Sequence, residues 1–244
     1  MNWEPLFTLT DYALPAEELP QHLANLVEYL NAPATPEHPW AMKRAEWGHK
    51  EPYGVKYFEL GNEDNGHTKF LYTEVARHAA AAIRSQQPLA VLANSGTAHI
   101  DYNWLEFQRN RGLLEHLDAL CVHPYTNNST PSQEVGPEKG KVYEKLTQLN
   151  DIVDAAGGMK QLWSTEYGWP NSSRPNGEHD RADLYVREMI VGDMAGLDIN
   201  GLYTWDRDYG IVGRPAGVAI QTYTRMREGR RLAGFYREGG LWIA

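Results

Sequence analysis

Short apolar runs that stop at polar residues alternate along this chain with stretches whose apolar positions recur every three to four residues, the pattern of strands followed by helices. Pro5 to Thr10 is the first such run and ends at Asp11-Tyr12. The segment from Ala16 to Leu30 places Leu19, Leu23, Leu26, Val27 and Leu30 on one helical face, with Pro15, Glu17 and Glu18 at its start. Asn31 to Gly54 is rich in Pro, His and Trp without a clean period, which predicts a long ordered loop. Val55 to Glu63 then drives β-branched and aromatic residues into a Gly-Asn pair, so a buried strand is expected with Glu63 at its C-terminal tip.

The alternation continues to the end. Thr68 to Arg84 predicts a helix on Phe70, Leu71, Val75, Ala79 and Ile83. Strand Leu89 to Ala93 closes on Asn94-Ser95-Gly96 and precedes a helix over Tyr102 to Asn110. Strand Leu117 to Val122 closes on His123-Pro124-Tyr125, a polar loop runs from Thr126 to Gly140, and helix Lys141 to Ala156 ends at Gly157-Gly158. Strand Gln161 to Thr165 leads to Glu166, a loop crosses Pro170 to His179, and helix Arg181 to Ala195 follows. Strand Gly201 to Thr204 ends at Trp205-Asp206, and Ala216 to Met226 is the last predicted helix.

Strand-then-helix units without a hairpin signal between them call for parallel strands with right-handed crossovers. An open doubly wound sheet and a (β/α)8 barrel both fit that order. No Gly-x-Gly-x-x-Gly follows any strand, which removes the main signature of a dinucleotide-binding sheet. Polar residues recur at the strand ends (Asp11, Asn62-Glu63, Asn94, His123, Glu166, Trp205-Asp206), where barrel enzymes carry their chemistry. The expected fold is therefore α/β, a TIM-type (β/α)8 barrel that is incomplete, with about six βα units. Residues 1–244 form one partial barrel domain, with 227–244 as a C-terminal strand or hairpin extension.

Composition narrows the function. With 244 residues the chain should bury about 70–75% of the surface its unfolded form exposes. A net charge of −9 with no basic run argues against nucleic acid as a partner. No apolar stretch approaches the roughly 20 residues of a membrane span, and the N-terminus lacks a basic-then-apolar leader, so no membrane partner and a cytoplasmic location are expected. A single cysteine, Cys121, excludes an intramolecular disulfide and a cysteine-based zinc cluster, and its apolar neighbours predict a buried small hydrophobe. No His-x-x-x-His pair occurs, and His49, His67, His99 and His179 fall in predicted loops, so no metal and no cofactor are expected. No Gly-x-Ser-x-Gly elbow appears. Eight Trp and 14 Tyr stand out, because flat amphipathic rings serve sugar faces as well as cores.

Two glutamates ending two parallel strands, Glu63 and Glu166, suit hydrolysis of a glycosidic bond, in which one carboxyl protonates the leaving oxygen and the other meets the anomeric carbon. Phe58-Glu59-Leu60-Gly61-Asn62-Glu63 and Trp163-Ser164-Thr165-Glu166-Tyr167-Gly168 resemble the acid/base and nucleophile strands of the clan A retaining glycoside hydrolases. Val27 to Asn31 and Pro52 to Tyr57 are similar to α-L-arabinofuranosidases and, less closely, to the β-xylosidase group of that clan. The resemblance runs from about Trp3 to about Met226. It implies Glu63 as acid/base, Glu166 as nucleophile, and Asn62 on the sugar hydroxyl beside the anomeric carbon. His123 and Tyr125 would line the site, with Tyr125 against the nucleophile, and Trp205 would form the floor under the sugar. Glu59 and the other tryptophans, Trp3, Trp40, Trp47, Trp104 and Trp242, are expected in structural roles. A retaining mechanism implies carboxyl groups about 5–5.5 Å apart.

The family's first two βα units have no counterpart here. A six-stranded remnant leaves sheet edges and apolar interior to be covered, so a homo-oligomer that closes the gap is expected, with an oligosaccharide or glycoside as substrate. A catalytically impaired carbohydrate-binding fragment is the alternative, and a barrel lyase or isomerase using the same carboxylates is a third reading.

Overall fold

The computed structural model describes residues 4–9, 15–64, 69–97, 99–126, 136–157, 161–171, 177–230, 234, 236–238 and 241–243. Six parallel strands alternate with helices: β1 (Leu6–Thr8), β2 (Tyr57–Asn62), β3 (Val91–Gly96), β4 (Ala119–Val122), β5 (Gln161–Ser164) and β6 (Ile199–Asn200), in sheet order β1-β2-β3-β4-β5-β6. This is the alternation of a TIM-type barrel carried through six strands, as the sequence leads one to expect. The helices are α1 (Leu19–Asn31), α2 (Pro39–Glu46), α3 (Lys69–Gln86), α4 (Tyr102–Asn110), α5 (Val142–Ala155), α6 (Gly177–Ala195) and α7 (Pro215–Arg227). A separate antiparallel pair, β7 (Tyr236–Glu238) and β8 (Leu241–Ile243), closes the chain. The chain divides into two compact units, Met1–Cys121 with Ile152–Gln161, and Val122–Asp151 with Leu162–Ala244.

In the first unit, β2, β3 and the start of β4 are covered on both faces, which explains why their sequences read as apolar runs rather than alternations. Phe58, Leu92, Ala93 and Leu120 are fully buried there, as is Cys121. Asp101 caps α4 by accepting the Trp104 amide at 3.0 Å, which sets the predicted start of that helix. Asp118, ahead of β4, takes the Leu92 amide at 2.9 Å and an Arg84 guanidinium nitrogen at 2.5 Å, pinning β3 from below. In the second unit, Asp198 ahead of β6 takes the Leu162 amide at 2.9 Å in the same manner. α6 is buried over much of its surface, and Tyr167, Trp169, Tyr185 and Ile220 share a core with it.

Several boundaries differ from the sequence reading. The segment between α1 and β2 contains α2, which periodicity missed because only Ala41 and Arg44 of its eight residues are buried. Arg44 is wholly enclosed and donates to four backbone carbonyls, Tyr29 and Ala32 at the end of α1 and His49 and Lys50 beyond α2, at 2.5 to 3.1 Å. A polar fork rather than an apolar stripe therefore organises this segment. The last parallel strand is Ile199–Asn200, ahead of the predicted Gly201 to Thr204. α6 begins at Gly177, so His179 lies in its first turn and not in a loop. Trp47 is 76% exposed and does not pack into a core, whereas Trp104 is fully buried. Asp11, His67 and Trp3 lie outside the described residues.

Candidate active site

Each glutamate singled out by the sequence follows the C-terminal end of a parallel strand, Glu63 after β2 and Glu166 after β5. Within the first unit Asn62 pairs with Gly96, and the Glu63 amide donates to the Gly96 carbonyl at 3.0 Å. Glu63 is half-buried and adopts φ 54°, a left-handed conformation that a side chain takes at some cost. Gly61, two residues earlier, has φ 108°, and a Cβ there would lie 2.0 Å from Asp64 Oδ2. Only glycine fits that approach. The strand thus ends in a sharp turn that presents Glu63.

Glu59, four residues back on β2, is 1% exposed. Its Oε1 accepts the Gly96 amide at 2.6 Å and faces Cys121 Sγ at 3.4 Å, and its Oε2 accepts Thr8 Oγ1 at 3.4 Å. Where the sequence leads one to expect a salt-bridged structural carboxylate, the bonds seen at Glu59 come from a backbone amide, a thiol and a hydroxyl. Asn94 is buried inside β3 rather than standing at its tip. It substitutes for ladder bonds by exchanging hydrogen bonds with the Cys121 amide at 2.7 Å and carbonyl at 3.1 Å.

Within the second unit the structure brings together three of the predicted residues, His123, Tyr125 and Glu166, on the loops after β4 and β5. Tyr125 Oη donates to Glu166 Oε1 at 2.6 Å. His123, buried directly after β4, shares a hydrogen bond at 3.1 Å between its Nε2 and Thr165 Oγ1, and its ring meets that of Tyr125 edge-on at 6.5 Å. The loops after β5 and β6 stay bonded side by side, Gly201 N–H to the Ser164 carbonyl at 2.7 Å and Tyr203 N–H to the Tyr167 carbonyl at 2.8 Å. Those two bonds span three residues on the β5 side and two on the β6 side, so the β5 side carries one extra residue where Glu166 stands. A bulge of this kind turns a side chain away from its strand's alternation. Gly168 permits the close approach, since a Cβ there would lie 2.2 Å from the Tyr203 carbonyl oxygen.

Trp205 follows these loops and is 67% exposed, an indole face open to contact, with its carbonyl accepting the Ile211 and Val212 amides. Tyr167 is fully enclosed beside Glu166, and burial pushes its phenol well above the ordinary tyrosine range. Thr165 is the site neighbour that sequence reading missed. Its only signal is its place before Glu166, because no spacing rule links it to His123.

Residues 9–146, more than half of the chain, match the family described as "Alpha-L-arabinofuranosidase 1 domain". The chain is 29% identical over 116 residues to the intracellular exo-alpha-(1->5)-L-arabinofuranosidase 1 of Bacillus subtilis, covering 43% of this chain and 22% of that protein. Among solved structures, the thermostable alpha-L-arabinofuranosidase of Thermotoga petrophila superposes with a TM-score of 0.68 at 18% identity, over 89% of this chain and 48% of that one. A beta-xylosidase of Caulobacter crescentus gives a TM-score of 0.59 at 14% identity, over 95% and 53%. The chain spans less than a third of the curated relatives it matches and about half of these structures, whose likeness shows the incomplete barrel fold. No helix among the described residues is long and apolar enough to cross a membrane. On the extent of the family match, the chain belongs to the alpha-L-arabinofuranosidase 1 domain family.

Proposed function

We propose that this chain carries the catalytic face of a retaining glycoside hydrolase acting on arabinofuranosides or related glycosides, with Glu63 as acid/base and Glu166 as nucleophile. In the first step a Glu166 oxygen bonds to the anomeric carbon while the bond to the leaving oxygen breaks and Glu63 delivers its proton to that oxygen. In the second, Glu63 takes a proton from water, the water oxygen bonds to the anomeric carbon, and the ester to Glu166 breaks. Asn62 hydrogen-bonds the neighbouring sugar hydroxyl, His123 and Tyr125 shape the nucleophile's side, and Trp205 offers its ring to the apolar sugar face.

The observation that supports this reading best is the 2.6 Å bond from Tyr125 Oη to Glu166 Oε1. A phenol donor fixes one carboxylate oxygen and orients the other, which is what a nucleophile needs and a structural rim carboxylate does not. The sheet's edge strands β1 and β6 each pair on one side among the described residues, and we propose that self-association covers them.

A screen of aryl glycosides followed by a 2-fluoro-glycoside of the accepted sugar tests the assignment. Turnover, with Glu166 carrying the label in mass spectrometry, supports it. Labelling on another residue refutes the nucleophile. Binding of oligosaccharides without turnover, unchanged by Glu166→Ala, would leave a carbohydrate-binding fragment as the function.

A further inference from the structure

The turn that presents Glu63 is set by a side chain from the helix that follows it. At the start of the β2–β3 pairing the Val91 amide donates to the Lys56 carbonyl at 2.8 Å. A parallel ladder repeats every two residues, so the same series would bring the Ser95 amide onto the Leu60 carbonyl. The Tyr72 hydroxyl bridges these two groups, accepting from Ser95 N at 2.7 Å and donating to Leu60 O at 2.7 Å.

Beyond this wedge the bonding phase of the ladder has changed. Continuation would place the Asn62 amide on the Ser95 carbonyl, whereas the Glu63 amide binds the Gly96 carbonyl at 3.0 Å. The register passes from Leu60 with Asn94 to Asn62 with Gly96, and Gly61 and Ser95 do not pair. At this missing rung Gly61 takes φ 108° and Glu63 takes φ 54°. Ser95 Oγ accepts the Asp64 amide at 3.1 Å, which fixes the residue after Glu63 as well. Tyr72 is held in place by burial and by the Trp104 ring at 5.2 Å. Burial pushes its phenol well above the usual tyrosine range, so the hydroxyl keeps its proton and its donor role.

We infer that Tyr72 is a positioning residue for Glu63, its hydroxyl wedging β2 from β3 and thereby setting the turn that presents the acid/base carboxyl. The inference rests on the reading of Glu63 as acid/base. Tyr72 does not touch substrate in this account. Without its hydroxyl the Ser95 amide and Leu60 carbonyl would close onto each other, the phase slip would vanish, and Glu63 would relax toward extended backbone.

The test compares wild type with Tyr72→Phe, Glu63→Gln and the packing control Trp104→Phe. Amide hydrogen exchange is read at residues 61–64 and 94–97, and hydrolysis is measured on a 4-nitrophenyl and a methyl glycoside of the accepted sugar. In Tyr72→Phe the Glu63 amide, which loses its bond to the Gly96 carbonyl, should exchange about ten-fold faster or more, while the Ser95 amide passes to the Leu60 carbonyl and stays protected like those of Val91 and Leu92. Hydrolysis of the methyl glycoside should fall about ten-fold or more while the nitrophenyl glycoside loses less than about three-fold, the split that impaired acid catalysis produces. Added azide should restore turnover of the nitrophenyl glycoside in Tyr72→Phe and Glu63→Gln alike, and Trp104→Phe should lower the unfolding midpoint without producing the split.

Unchanged exchange at Glu63 in Tyr72→Phe overturns the inference. So does an equal loss on both glycosides where Glu63→Gln separates them. A Glu63→Gln protein that does not separate them overturns the acid/base assignment instead, and the exchange measurement still decides whether Tyr72 holds the turn.

Discussion

Tyr125 and Glu166, on the loops after β4 and β5, are joined by a hydrogen bond of 2.6 Å from the phenol to Oε1. Hydrogen bonds to charged groups contribute about 1.5–3 kcal/mol, more than neutral pairs. Tyr125→Phe keeps the ring and removes the donor. It should lower the rate of glycosyl-enzyme formation roughly 10- to 100-fold, measured as the rate of 2-fluoro-glycoside labelling at Glu166, with the unfolding midpoint nearly unchanged. An unaltered labelling rate would mean that the bond holds the loops together and does not orient the nucleophile.

Glu188 on α6 is 3% exposed, and its Oε2 has no hydrogen-bond partner among the described residues. Burial first, and then the charge of Glu138, push its carboxyl well above the ordinary range, with Lys145 opposing. The folded state therefore binds this proton more tightly than the unfolded chain does. Its stabilising contribution is full below the unfolded value of about 4.3 and is lost progressively as pH rises toward the folded value. Glu188→Gln, neutral at every pH, should flatten that decline and raise the denaturant midpoint at pH 8 relative to wild type, with little difference at pH 4. Parallel curves for the two proteins from pH 4 to 8 would contradict this.

Arg44→Met should destabilise strongly. The substitution keeps much of the buried volume but strips four carbonyls of their donor. Leaving buried acceptors unpaired costs about 1–3 kcal/mol each where water cannot reach them, so a loss of about 3 kcal/mol or more is expected by urea unfolding. Arg44→Lys should recover only part of it, because an ammonium cannot reproduce the planar fork. A loss below about 1 kcal/mol would show that the carbonyls find water instead.

Gly168→Ala and Gly157→Ala should differ. At Gly168 an added Cβ meets the Tyr203 carbonyl at 2.2 Å and the Tyr185 hydroxyl at 2.8 Å, and the carbonyl belongs to backbone that cannot step aside. A cost of about 2 kcal/mol or more, with loss of any glycosidase activity as the Glu166 loop shifts, is expected from differential unfolding and kinetics. Gly157 follows α5 at φ 73° with nothing within 4 Å, so its substitution should cost only about 1 kcal/mol, through backbone conformation alone. Equal costs at the two positions would remove the argument from close approach.

Much of this was legible in the chain before any coordinates. Strand-then-helix alternation, the absence of hairpin signals and carboxylates ending two apolar runs determined a parallel α/β fold with Glu63 and Glu166 beyond the strands. Periodicity carries that information because a buried parallel strand and an amphipathic helix each leave a local trace in the sequence. Where order comes from polar contacts between distant residues, no such trace exists. Arg44 builds α2 from backbone carbonyls on both sides of it, Asn94 replaces ladder bonds inside β3, and Tyr72 reaches from α3 to bond both the Ser95 amide of β3 and the Leu60 carbonyl of β2. The aim of the two glutamates was likewise decided by tertiary structure. A missing rung at Gly61 with left-handed backbone at Gly61 and Glu63, and an extra residue beside Glu166, set the turns on which they stand, and both depend on which backbone groups neighbouring strands offer, which one strand's own residues cannot specify.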